Sequence, residues 1–137
     1  MTTTFHNPPT APPPAAAYSN VADIDLGGTR LLILSGQAAL DADGTVMGDD
    51  MTAQTTFVFD AIAALLADRG ATFADVVNIR TYLADMDQLA AYGAVRRTYL
   101  GDVLPTSTTV EVSRLFRPGL LLEVDITAAL APKSGEH

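Results

Sequence analysis

Alternating apolar and polar positions, interrupted by two stretches of helical spacing, divide the chain into short strands and two helices. Apolar residues dominate positions 21–26 and 30–35 on either side of Gly27-Gly28. That arrangement predicts a hairpin with a two-residue turn. Asp41-Ala42-Asp43-Gly44 predicts another turn, with a short extra strand after it at 45–47. Ala53, Phe57, Ala61, Ala64 and Leu65 fall near one stripe, which predicts a helix over 52–69. Asp49, Asp50 or Thr52 can cap that helix, and Gly70 can end it. Residues 74–83 read as a strand. A second helix opens at Asp85 or Asp87, runs to about Leu100 and closes at Gly101. Two more strands, 106–113 and 120–129, are joined through Arg117-Pro118-Gly119. The order β-β-α-β-α-β-β predicts an α+β fold, a mixed sheet with two helices on one face. No internal repeat is visible.

Residue parity along the later strands adds a second layer. In 76–83 one parity carries Val77, Ile79, Thr81 and Leu83; the other carries Val76, Asn78, Arg80 and Tyr82. In 106–113 the sets are Thr108, Val110 and Val112 against Ser107, Thr109, Glu111 and Ser113. In 120–127 they are Leu120, Leu122, Val124 and Ile126 against Leu121, Glu123, Asp125 and Thr127. Each strand is expected to turn its apolar parity to the helices and its polar parity to the far side. A solvated sheet face gives this pattern, and so does a wet subunit interface or a ligand cleft.

Composition then restricts the chemistry. The 137 residues suit one domain. There is no Cys, so no disulfide, thiolate nucleophile or Cys-ligated metal is available. The two histidines, His6 and His137, lie near the chain ends, and so does Lys133. A Ser-His-Asp triad, a His metal site and a buried Schiff-base lysine are thereby disfavoured. No metal site is therefore expected. The net charge of −8 argues against nucleic acid and anionic membrane as partners. No apolar run is long enough for a membrane span. The N-terminus lacks the basic and apolar regions of a secretory signal, so a cytoplasmic location is expected. Five prolines fall between Pro8 and Pro14. The reading is a Pro-rich arm over 1–17, extended or mobile, a single domain over 18–132 and a tail over 133–137.

Several collinear segments carry a family resemblance. They are Tyr18-Ser19-Asn20, Ser35-Gly36-Gln37, Ala53-Gln54-Thr55, Gly70-Ala71-Thr72-Phe73, Tyr82-Leu83-Ala84-Asp85-Met86, Val110-Glu111-Val112-Ser113-Arg114-Leu115 and Glu123-Val124-Asp125-Ile126. Together the chain resembles the RidA/YjgF reactive-intermediate deaminases from about Ala11 to Leu130. The resemblance implies a chorismate-mutase-like protomer and a homotrimer with a central barrel. It also implies ligand clefts between neighbouring subunits, and cofactor-free hydrolysis of enamines or imines to a carbonyl compound and ammonia.

Mapped residue by residue, the resemblance implies that Tyr18, Ser35, Gly36 and Glu123 line the cleft, with Glu123 orienting water and Tyr18 as its catalytic companion. The chain departs from the family where an Arg usually grips the substrate carboxylate: Ser107 stands there, with Thr109 where a Cys is common. A hydroxyl does not replace a guanidinium fork. Ser107 and Thr109 are therefore expected to shape a pocket for a substrate other than a small 2-imino acid. Arg80 is the candidate relocated cation, and an ion pair with Glu111 or Asp125 is its structural alternative. A non-catalytic trimer that binds a metabolite or a protein is the alternative function. Ribonuclease activity and chorismate-mutase-like isomerisation fit the charge and residue inventory less well.

Overall fold

Asp50 accepts a hydrogen bond from the amide of Ala53 and starts the long helix α1 (Met51–Asp68). Gly70 ends it at φ +75°, and the amide of Ala71 turns back to the carbonyl of Leu66. This helix lies in a computed structural model that describes residues 1–131. The strands are β1 (Thr2–His6), β2 (Val21–Asp25), β3 (Arg30–Leu34), β4 (Val76–Leu83), β5 (Thr106–Glu111) and β6 (Leu122–Leu130). The second helix is α2 (Leu89–Leu100). Asp85 caps a 3₁₀ turn at Met86–Gln88 just before it, so the predicted helix start divides into two pieces.

One sheet holds the strands in the order β1-β2-β3-β6-β4-β5. Every neighbouring pair is antiparallel except β4 and β5, which α2 connects in parallel. The strand latest in the chain, β6, therefore sits in the middle. Both helices cover one face. Leu32, Leu122, Val124, Ile126, Ile79 and Leu83 from the sheet meet Val58, Phe59, Ile62, Leu65 and Leu66 of α1 in a fully buried core. Each such large side chain contributes about 1.5–3 kcal/mol on leaving water.

Three expectations are corrected. Residues 2–6, assigned to the arm, form edge strand β1 against β2. The short strand at 45–47 is only an isolated bridge between Leu40 and Val46. A bulge between Val76 and Asn78 swaps the first residues of β4: Val76 is buried and Val77 is exposed.

The parity of β5 is also reversed. Ser107 pairs with Ile79 and Thr109 with Thr81, both buried under the helices. Ser107 and Thr109 thus face the helix layer, and Thr108 and Val110 face the far side. On this edge strand both parities are largely exposed, so burial does not sort apolar from polar residues as it does in β4 and β6.

The Pro-rich segment is tied down by amides. The Asn20 amide donates to Asn7 Oδ1 (2.8 Å), and its side-chain Nδ2 donates to the carbonyl of Pro12 (3.0 Å). Gln37 donates to Asn20 Oδ1 (3.2 Å), and Ala11 joins the core. The predicted tail over 133–137 lies outside the described residues.

Candidate active site

After β3 the chain leaves the sheet but returns to β6 for one pairing. The amide of Gln37 donates to the carbonyl of Val124 (2.8 Å), and the amide of Val124 donates back to Gln37 (3.0 Å). This bridge lays Gly36 directly against Glu123 of β6. A Cβ on residue 36 would stand 2.7 Å from Glu123 Cδ and 2.9 Å from Oε2. Glycine is thus required for the carboxyl to rest where it does.

The Glu123 carboxyl accepts no hydrogen bond from the described residues. Burial raises its pKa above the ordinary glutamate value, and the negative charge of Asp125 adds to the effect. It opens onto a cavity of about 380 Å³ lined by Tyr18, Ser35, Gly36, Phe116, Arg117 and Glu123, among others. Tyr18 is half exposed, and its hydroxyl accepts from the amide of Ala15 (3.2 Å). Ser35 Oγ donates to the carbonyl of Ser19 (2.6 Å), so that hydroxyl fixes the backbone at the cavity wall. A second cavity of about 260 Å³ shares Tyr18, Gly36, Phe116 and Arg117 and extends towards Gln37 and the 41–44 turn.

The structure therefore brings Tyr18, Ser35, Gly36 and Glu123 together. Phe116 and Arg117 are additional lining residues; the sequence pattern offers Arg117 only as part of the connection between two strands and does not single out Phe116. Their signal was their place in the connection that leads into the strand of Glu123.

The loop carrying them is anchored from beneath. Gln54 is buried; its Nε2 donates to the carbonyls of Gly48 (3.1 Å) and Gly119 (2.8 Å). Its Oε1 accepts from the amide of Leu121 (2.9 Å). The bonds to Gly119 and Leu121 stitch α1 to the connection between β5 and β6, and the bond to Gly48 ties in the segment before α1.

The remaining expected site residues stand elsewhere. Arg80 Nε donates to Asp125 Oδ1 (2.8 Å), and the Tyr82 hydroxyl donates to Asp125 Oδ2 (3.3 Å). Arg80 lies on the far face of the sheet and does not line the Glu123 cavity. The cross-sheet ion pair is the arrangement observed. Ser107 and Thr109 also lie outside that cavity, because β5 is separated from β6 by β4.

Ser107 nevertheless has a cation beside it. Arg96 of α2 donates from Nη1 to Ser107 Oγ (3.1 Å) and to the Tyr92 hydroxyl (3.3 Å). Tyr92 in turn is hydrogen-bonded to Thr81 Oγ1 (2.5 Å). Among the described residues no cluster of three or more His, Cys, Asp or Glu side chains could hold a metal ion. No helix among them is long and apolar enough to cross a membrane.

A mixed sheet with two helices on one face defines an α+β protein of the chorismate-mutase-like class, and it sets a desolvated glutamate against a glycine at the mouth of a cavity. The profile of the family described as Endoribonuclease L-PSP matches residues 8–130, and the chain belongs to that family, the RidA/YjgF group that its motifs resemble. A RutC family protein of Pyrococcus abyssi is 34% identical over 119 residues, covering 86% of this chain and 90% of its own. A 2-iminobutanoate/2-iminopropanoate deaminase of Salmonella typhimurium is 27% identical over 105 residues, covering 74% and 80%. A solved structure from Mycobacterium tuberculosis, described as a member of the YjgF/YER057c/UK114 family, superposes with a TM-score of 0.76 at 29% identity, covering 94% of this chain and all of its own.

Proposed function

We propose that this protein hydrolyses a C=N bond, converting an imine or the imine tautomer of an enamine to a carbonyl compound and ammonia. The observation that carries the reading is the Glu123 carboxyl, desolvated, without a hydrogen-bond partner among the described residues, and facing a cavity. The family relative named as an iminobutanoate/iminopropanoate deaminase supports the same chemistry.

Glu123 accepts a proton from water as the water oxygen attacks the imine carbon. With the imine nitrogen entering protonated, this gives a neutral amino alcohol; the carboxyl then returns its proton to nitrogen, the C–N bond breaks, and the hydroxyl proton lost as the carbonyl forms leaves with ammonia as ammonium. A carboxyl whose pKa is raised serves both steps better than an ordinary glutamate, because proton transfer works best with a pKa near the working pH. Tyr18, Ser35 and Gly36 contribute to the walls around it. The absence of Arg at 107 directs the reading to substrates other than small 2-imino acids. The protein is read as a cytoplasmic homotrimer in which a neighbouring subunit completes the cleft.

The test is ammonia release from freshly generated imines of graded size. Glu123→Gln is expected to lower kcat by about 10²–10⁴-fold with the fold unchanged by circular dichroism. The acid limb of the wild-type rate profile is expected above pH 4.5, the ordinary glutamate value, because burial raises the Glu123 pKa. If the wild-type protein releases ammonia from no imine, the non-catalytic binding module is the better reading.

A further inference from the structure

The Glu123 cavity contains a second charged group whose arrangement is independent of the glutamate. Arg117 projects from the connection between β5 and β6, and its Nη1 donates to the carbonyl of Gly44 (2.6 Å). Residue 44 has to be glycine for this: its φ is +79°, and a Cβ would run into the guanidinium. The turn that presents Gly44 is itself fixed. Asp41 Oδ1 accepts from the amides of Asp43 and Thr45, both at 2.9 Å. One guanidinium nitrogen is thereby anchored to the backbone, and the other donors of Arg117 have no partner among the described residues.

Arg117 and Glu123 line the same 380 Å³ cavity, yet no ion pair within 4.0 Å joins them. Two opposite charges facing one cavity without neutralising each other are complementary to a dipolar ligand. Its protonatable nitrogen would stand at the carboxyl and its anionic end at the guanidinium, which presents a planar fork. The same cavity carries two aromatic rings in its lining. Tyr18 and Phe116 are 46% and 56% exposed, and both line this cavity and the adjoining one. A large apolar ring left in water beside a charged cavity has an obvious use as a contact for a flat apolar body.

We propose that Arg117 is the anion-recognising residue of this cavity and that Phe116, with Tyr18, selects ligands with an aryl or comparably flat apolar group beside the carboxylate. The inference rests on the hydrolase reading for the identity of the reacting nitrogen, but the recognition it describes is measurable without turnover.

The experiment is calorimetric titration of the full chain with three probes: benzoylformate, its uncharged methyl ester, and pyruvate. Wild type is expected to bind benzoylformate at least tenfold more tightly than the ester or pyruvate. Arg117→Gln is expected to erase the acid-over-ester preference while changing ester affinity less than twofold. The ester thus reports whether the cavity itself has survived. Phe116→Ala is expected to weaken benzoylformate and leave pyruvate unchanged. Arg117→Lys, which keeps the charge but loses the fork, is expected to fall between.

An acid-over-ester ratio that is unaltered in Arg117→Gln overturns the proposal, as does a wild-type protein that binds the ester as tightly as the acid. Should no imine be hydrolysed while the ratio still depends on Arg117, the hydrolase reading falls and the recognition stands. Should Glu123→Gln abolish hydrolysis while Arg117→Gln leaves the ratio intact, the reverse holds.

Discussion

Gly36 and Glu123 act as one unit, because the space that one leaves is the space the other's carboxyl occupies. Gly36→Ala is expected to push the carboxyl aside and lower kcat roughly 10²-fold, the scale of a misplacement of about 1 Å. Overall stability should change little, since the end of a flexible side chain is what gives way. Steady-state kinetics beside a thermal melt separates the two effects, and full activity with an added methyl would contradict the arrangement. This pair was half legible in the sequence. Both residues stood in motifs that resemble the family, but their contact depends on the Gln37–Val124 bridge, which joins segments far apart in sequence and leaves no local signature. Arg80 shows the opposite limit. Its strand parity was readable, and so was an ion pair as an alternative, but choosing Asp125 over a ligand required the registration of β4 against β6.

Elements are joined through a few polar clusters. Asp23 of β2 is buried, and Arg30 of β3 donates to it from Nε (3.1 Å) and Nη2 (2.5 Å). Arg69, at the end of α1, approaches from 3.5 Å. The hydrogen bonds from Arg30 hold the Asp23 carboxyl below its ordinary value, outweighing burial, and the charges of both arginines assist. A lowered pKa means that the unfolded chain binds the proton more tightly. The stabilisation is present above the ordinary aspartate value of 3.8 and is lost as pH falls through the folded one. Asp23→Asn is expected to cost about 1–3 kcal/mol at pH 7, less than a fully buried pair because both arginines are partly exposed. The gap from wild type should narrow towards pH 3 in urea titrations; a gap independent of pH would contradict the assignment. The helices themselves were largely legible. Capping by Asp50 and termination at Gly70 are local chemistry, and the sequence placed α1 within a residue at each end. Strand β1 was not, because a short run of threonines before a Pro-rich stretch has no apolar stripe, and its pairing with β2 comes from the neighbour rather than from its own pattern.

At the scale of the whole molecule, the far face of the sheet is unusually mixed for a surface in water. Phe5, Ile33 and Val110 are 66%, 42% and 40% exposed there, beside the Arg80–Asp125–Tyr82 group. Such a face supports the homotrimer reading, because apolar side chains with satisfied polar neighbours suit a wet interface. Light scattering is expected to give the mass of three 14.4 kDa chains, and Val110→Glu is expected to shift it towards one. A wild-type mass of one chain would overturn the assembly. The layer architecture was legible because apolar parity on β4 and β6 is enforced by burial on the helix side. The reversed parity of β5 was not, since an edge strand is free of that enforcement.

Because β6 occupies the centre of the sheet, synthesis and folding are necessarily out of step. While a ribosome is still adding residues before Leu122, β3 and β4 have no strand to stand between them, and the two halves of the sheet cannot close into a core. Glu123 arrives on that same strand. The nascent chain is thus expected to complete its hydrophobic core and gain its candidate catalytic carboxyl together, and a product that stops short of β6 is expected to be neither stably folded nor active.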